Sequence, residues 1–214
     1  YTRDQIDIDL VKLARHANAR LILDHATGID TECKRVHLAN RPDIAYDTLA
    51  VDIGITTELL TIPGAKTHAF SAKPLGPFAT AWESFLERAA TDNLTPDIAI
   101  IGGGVAGVEL ALAIAHRLGT GKFLDTRVRL IEAGESVLRE VAPKARRALL
   151  GELRRYGIEV ILKASVKEIT ETEISFASDR ANIPANFVVT AAGAKPHPWL
   201  KDTNLALHEG YIEV

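Results

Sequence analysis

The sequence predicts an α/β fold built on a parallel sheet, and three observations carry that prediction. Residues 97–109 read DIAIIGGGVAGVE, a continuous apolar run opening into spaced glycines and then into an apolar helix. Residues 128–132, VRLIE, form a second apolar run that ends in a carboxylate. Ile158 to Leu162 is a third run after a further helical stretch, giving the order strand, helix, strand, helix, strand. Strands that are apolar at successive positions are those of parallel sheets covered on both faces. That order, with right-handed crossovers, predicts a doubly wound domain.

The remaining elements follow from periodicity and punctuation. Gln5 to His16 has a mainly helical rhythm with Asp4 as a candidate N-cap. Arg20 to Ile29, Arg35 to Leu38 and Tyr46 to Val51 read as short strands, separated by polar turns at Asp30-Thr31-Glu32 and Asn40-Arg41-Pro42-Asp43. Ile62-Pro63-Gly64 and Lys73-Pro74-Leu75-Gly76-Pro77 mark an irregular connection between domains. Phe78 to Ala90 is a helix whose Phe78, Trp82, Phe85, Leu86 and Ala89 share one face, a spacing that core packing explains. Gly107 to Leu118 is apolar almost all round, hence buried, and Gly119 and Gly121 stop it. Pro143 opens a helix that Gly157 closes. Its Leu149, Leu150 and Leu153 face inward, while Lys144, Arg146, Arg147, Arg154 and Arg155 make a basic face, read as solvated or, alternatively, as an anion-binding patch. Val166 to Thr170 and Glu173 to Phe176 form a small β-meander, and Phe187 to Ala191 is the last apolar strand.

The glycine turn carries the chemistry. A pyrophosphate can lie against a helix N-terminus only where no side chain intervenes. Gly102 permits the tight turn, Gly104 lets backbone approach phosphate, and Gly107 lets helix and strand pack closely. With Val105 and Ala106 between them, these residues form the candidate cofactor cradle of a Rossmann-like NAD-binding domain. Glu132 is placed to accept hydrogen bonds from an adenosine ribose; the bland alternative is an ordinary polar strand end. A carboxylate there favours the 2′-hydroxyl of NAD and repels the 2′-phosphate of NADP, and no arginine follows until Arg139.

Composition narrows the classes further. The 214 residues are 47% hydrophobic and 25% charged, ordinary globular material, and a net charge of -3 gives no footprint for nucleic acid or an anionic membrane. Apolar runs are too short to span a bilayer and no signal peptide opens the chain, so a cytoplasmic protein is expected. Cys33 is the only cysteine and receives no role, and the seven histidines lack the short spacings of a metal site. No GxSxG elbow and no GxxxxGK[ST] loop is present. The chain has no methionine and opens on Tyr1-Thr2-Arg3-Asp4, as expected of a piece of a longer protein.

Four separated segments together resemble one family: residues 46–54 (YDTLAVDIG), Ile62-Pro63-Gly64, Gly102 to Glu109, and residues 190–196 (TAAGAKP). Over nearly its whole length the chain resembles the pyridine nucleotide-disulfide oxidoreductase flavoproteins, NADH dehydrogenase-like members in particular. The resemblance implies residues 1–74 as the middle of an FAD-binding domain, 75–196 as the NAD(H)-binding domain, and 197–214 as the return to the FAD domain. It implies cofactor contacts at Gly54 and Gly193 on the crossovers, with Glu109 orienting nicotinamide, although an acid in a first helical turn is also favoured by the helix dipole. No side chain is implied to act as acid or base. The first crossover reads Val51-Asp52-Ile53-Gly54 where alanine-threonine-glycine is commoner, resembling a selenophosphate-synthase-associated subgroup. Val105 stands where disulfide reductases often carry a tyrosine. The implied activity is hydride transfer from NADH to flavin and on to an unidentified electron acceptor, with a non-catalytic NAD-binding or sensing module as the alternative. The implied partners are NADH and that acceptor, with room for a homodimer. FAD belongs to the full-length protein, and this chain alone is expected to hold an incomplete flavin site and to be inactive.

Overall fold

A parallel five-stranded sheet organises the larger part of the chain in the computed structural model, which describes residues 8–57, 62–73, 75–119, 123, 125–191 and 194–214. Two compact units divide the chain, one comprising Tyr1–Thr56 with Lys195–Val214 and the other Thr57–Ala194.

In the larger unit the strands are β1 (Ala69–Ser71), β2 (Asp97–Ile101), β3 (Arg127–Ile131), β4 (Glu159–Ile161), β5 (Val166–Ile169), β6 (Glu173–Phe176), β7 (Ile183–Pro184) and β8 (Phe187–Thr190). The helices are α1 (Leu75–Thr91), α2 (Val105–Gly119) and α3 (Pro143–Arg155). The parallel sheet runs β1-β8-β2-β3-β4. Alternation along each strand assigns its two faces. Ile98 and Ile100 join Val128, Leu130, Phe187 and Val189 in a core with Phe78 and Phe85 of α1, Val108, Ala111, Ile114 and Leu118 of α2, and Leu153 of α3. Ala99, Ile101, Ile131, Ile161 and Val188 point the other way, onto Ile169, Ile174 and Phe176 of the antiparallel sheet β7-β6-β5. Three layers result: helices, parallel sheet, meander. Burying each of these large aliphatic side chains stabilises the fold by about 1.5–3 kcal/mol.

The three layers are those expected of a Rossmann-like α/β domain with a small β-meander. The second face of the sheet carries the meander and not helices, because the residues after β4 alternate with period two and are too few for a crossover helix. The expected irregular connection after Ile62 also contains structure: a one-turn helix, Ala65–His68, and the edge strand β1. Three residues between turn signals give too little pattern to read as a strand. The aromatic stripe of α1 is core, as expected: Phe85 is 1% exposed and its ring lies 4.8 Å from that of Phe187.

Arg129 is buried on the meander face of β3. Its Nη1 bonds Asp97 Oδ1 at 3.1 Å and the Pro184 carbonyl at 2.9 Å, and its Nε bonds Glu159 Oε2 at 3.1 Å. One guanidinium thus ties β2, β3, β4 and β7 together.

The smaller unit holds an antiparallel sheet of Ala26–Asp30, Arg35–Leu38 and Ile44–Ala45, a 3-10 turn at Pro198–Asp202, and a hairpin of Leu207–His208 with Tyr211–Ile212. Two strand expectations are corrected here. Only residues from Ala26 onward pair in the first strand, because the partner strand ends at Leu38. Tyr46 to Val51 forms no strand, since the ladder on Arg35 and Val36 ends at Ala45. The expected N-terminal helix begins at Leu10, with Asp9 Oδ1 accepting the N–H groups of Val11 and Lys12 at 3.0 Å. Asp4 lies outside the described residues. Among the described residues no helix is long and apolar enough to cross a membrane.

Candidate nucleotide-binding site

The glycine turn joins β2 to α2 at the carboxyl edge of the parallel sheet. Gly102 takes a φ of +117°, a conformation open to glycine, and its N–H donates to the Ile131 carbonyl at 2.8 Å. The Gly103 carbonyl accepts from Leu138 N–H at 2.8 Å, and the Gly104 carbonyl accepts the Val108 N–H at 3.1 Å as α2 begins. A Cβ on Gly107 would fall 1.8 Å from the Gly102 carbonyl oxygen, so no larger residue fits between helix and strand. Gly104 is the opposite case: it is exposed, and a Cβ there would meet nothing within 4 Å. Its glycine is not demanded by the protein's own packing. The backbone there is bare toward a cavity of about 290 Å³ lined by Gly103, Gly104, Val105, Glu132, Ser136 and Arg139, among others.

Glu132 follows β3 and is fixed from several sides. Its backbone N–H donates to Ile161 at 2.8 Å and its carbonyl accepts from Ala164 at 3.0 Å. Side-chain Oε2 accepts from Gly103 N–H at 2.8 Å and Oε1 from Gly134 N–H at 2.7 Å. The carboxylate is therefore welded to the glycine turn, and it remains partly open to the cavity with its side chain 21% exposed. A carboxylate held by two N–H donors and a helix N-terminus with uncovered backbone lie side by side. That pairing can receive a hydroxyl donor and a phosphate acceptor at one time.

The structure brings together Gly102, Gly104, Val105, Ala106, Gly107 and Glu132. Val105 and Ala106 are exposed on the first turn of α2, and Glu109 is exposed one turn further along. Gly193 lies outside the described residues, although its neighbour Ala191 bonds the Ile101 carbonyl at 2.9 Å beside the turn. Gly54 belongs to the smaller unit, where a Cβ would meet nothing within 4 Å. Three contributors escaped the sequence reading. Gly103 and Gly134 supply the N–H groups that hold Glu132, and their signal was their closeness to recognised residues. Arg139, seven positions beyond Glu132, brings Nη2 to 3.7 Å from Oε1, an approach that sequence spacing does not display.

Among the described residues, Asp24 and Asp30 are the carboxyl groups held below the usual carboxylate range, both in the smaller unit. The backbone N–H of His25 lowers Asp24, and that of Cys33 lowers Asp30. Both serve turns. Among the described residues no group of three or more His, Cys, Asp or Glu could hold a metal ion.

Known proteins resemble this chain in sequence and in fold. The chain is 30% identical over 189 residues to demethylphylloquinone reductase NdbB of Synechocystis sp., covering 85% of this chain and 45% of that protein. It is 23% identical over 195 residues to the NADH dehydrogenase-like protein YutJ of Bacillus subtilis, covering 91% and 52%. The chain thus spans about half the length of the curated relatives it matches. Reduced Bacillus anthracis CoADR-RHD superimposes with a TM-score of 0.77 at 18% identity, over 97% of this chain and 37% of that one. NDH2 of Plasmodium falciparum in complex with NADH gives 0.70 at 16%, over 85% and 42%. The description of the pyridine nucleotide-disulphide oxidoreductases matches residues 4–214, nearly end to end, and the chain belongs to that family.

Proposed function

We propose that this chain is the NAD(H)-binding part of an FAD-dependent, NADH dehydrogenase-like oxidoreductase. The observation that carries the reading is the bond from Gly103 N–H to Glu132 Oε2, which sets a ribose-type acceptor against a bare, phosphate-sized helix N-terminus. In this reading the pyrophosphate lies on Gly102 to Gly107, with N–H groups and the positive end of α2 toward it. Glu132 accepts from the adenosine ribose through lone pairs left free by Gly103 and Gly134. Glu109 and Gly193 flank the nicotinamide end, and Gly54 belongs to the flavin side. Residues 75–196 then form the nucleotide domain, to whose sheet the preceding segment adds the edge strand β1, with the rest of 1–74 and 197–214 contributed to the flavin domain. The redox chemistry would belong to the cofactors: a bound flavin would supply a hydride acceptor for NADH and an electron donor to the final acceptor. The protein's share is to hold the nucleotide in one orientation. The relatives support an oxidoreductase over a non-catalytic module, since NdbB is named a reductase and YutJ NADH dehydrogenase-like.

Anaerobic addition of NADH to the full-length protein is the direct test. Its flavin absorbance should bleach, and quinones, disulfides and oxygen can then be screened for its return. A colourless full-length protein that still binds NADH would overturn the oxidoreductase reading while leaving the nucleotide site standing.

A further inference from the structure

A second cavity, of about 360 Å³, lies between α3 and the edge strand β4. Leu150 and Leu153 of α3 and Ile158, Val160 and Leu162 along β4 give it apolar walls, while Arg146 and Arg154 bring positive charge. Arg146, Leu150 and Arg154 follow the i, i+4, i+8 spacing that keeps three side chains on one helix face. Among the described residues neither guanidinium has an ion-pair partner. The acid on α3, Glu152, accepts from Arg155 Nε at 2.9 Å, and Glu135 of the cavity lining pairs with Lys163 at 2.9 Å. The Nε of Arg146 is shielded from water, and no protein acceptor reaches it. Leaving a buried donor unpaired costs folding free energy, so the protein's own packing gives no reason for this cation.

We infer that this cavity binds a small amphipathic carboxylate, its acyl chain between α3 and β4 and its head on Arg146. A turn of the guanidinium into the cavity presents Nε–H and an Nη–H side by side, the fork that matches the two oxygens of a carboxylate. Arg154 adds a second cation on the same face, exposed and therefore screened as salt rises. The cavity has the size and the mostly apolar lining of a small-molecule site with a few convergent polar groups. An inorganic anion would leave the apolar walls unused, whereas an acyl chain gains from being buried there. A membrane surface fits less well, because a helix that lies on one offers an apolar face beside its basic one. Here Leu153 is buried and Leu149 and Leu150 are partly buried, so α3 shows cations without an apolar anchor. Ser136 borders both this cavity and the one at the glycine turn, but the inference does not depend on the dinucleotide reading.

Calorimetric titration of the chain with decanoate, decanol and acetate, with the melting temperature followed in parallel, tests the inference. Decanoate should bind at one site and raise the melting temperature, since a ligand taken up by the folded chain stabilises it. Decanol, which lacks the charge, and acetate, which lacks the chain, should each bind at least about tenfold more weakly. Arg146→Leu should weaken decanoate by about tenfold or more, the loss of a charged hydrogen bond. It should not lower the melting temperature of the unliganded chain, because it removes an unpaired buried donor. Arg146→Lys should fall between the two as a point charge without the fork. Failure of the wild-type chain to bind decanoate at about 1 mM would overturn the inference, as would decanol binding as tightly or an Arg146→Leu chain that keeps wild-type affinity. Early melting of both arginine variants together with lost binding would mark Arg146 as structural. Uptake onto phosphatidylglycerol vesicles without binding of free decanoate would assign the basic face to a membrane surface and also sink the proposal.

Discussion

At the scale of single residues, the turn separates glycines that the protein needs from one that a ligand would need. Gly107 faces the Gly102 carbonyl at a distance no Cβ can share, whereas Gly104 faces open space. Gly107→Ala should therefore destabilise the fold by at least about 3 kcal/mol, the upper range for overpacking, and remove NADH binding. Gly104→Ala should leave the melting temperature unchanged and weaken NADH binding alone. Thermal unfolding beside NADH titration separates the two, and a Gly104→Ala protein that unfolds early would contradict the assignment. Asp30 gives a pH prediction. Its carboxylate accepts from Cys33 N–H at 2.8 Å and Glu32 N–H at 3.0 Å, which lowers its pKa in the folded state. A depressed carboxyl stabilises above its unfolded pKa and loses that contribution as pH falls through the folded value. Stability should thus decline below about pH 4, and Asp30→Asn should flatten that part of the profile, as followed by circular dichroism. An unchanged acid limb would assign the decline to other groups.

At the scale of elements, sequence pattern served where the run was long and failed where the partner decided. β2, β3 and β8 announced themselves as apolar runs because both of their faces are covered, and α2 and α3 were bounded by their glycines and by Pro143. β1 was hidden because three residues at a sheet edge carry no period, and Tyr46 to Val51 misled because a strand exists only where a neighbour offers a ladder. The glycine turn and Glu132 were legible for the same local reason; Arg139 was not, because loop geometry sets its approach. Arg129 is an instance the pattern also concealed, a charge inside an apolar strand. Its side chain is 7% exposed, that of Asp97 17% and that of Glu159 62%. Removing the guanidinium leaves the largely buried Asp97 carboxylate without its cation, so Arg129→Ala should cost about 3 kcal/mol. Glu159→Ala removes a solvated partner and should cost less than about 1 kcal/mol. Urea denaturation of both variants decides, and equal losses would show that the outer pair is as well shielded as the inner one.

For the molecule as a whole, the distribution of the core predicts which part can stand alone. Every buried member of both hydrophobic clusters lies between Ala65 and Val189, on the Thr57–Ala194 unit. All five parallel strands and the three-stranded meander lie there too, and the cuts at the unit boundaries fall only within the short pair of Thr56–Thr57 with Ala194–Lys195. The glycine turn, Glu132, Gly134 and Arg139 also fall inside it. In the other unit Ile29 is the one large aliphatic buried among the residues described before Thr56, and the helix Leu10–His16 buries nothing. Hydrophobic burial scales with the apolar area removed from water, so nearly all of the folding free energy should reside in residues 57–194. That segment, expressed alone, should unfold in one cooperative transition and bind NADH within about twofold of the full chain, a difference of under 1 kcal/mol. Residues 1–56 expressed alone should show no cooperative melting. If 57–194 fails to fold, the smaller unit supplies stability that its sparse core does not reveal; if 57–194 folds but loses NADH, the nucleotide site draws on residues outside the turn and the Glu132 loop.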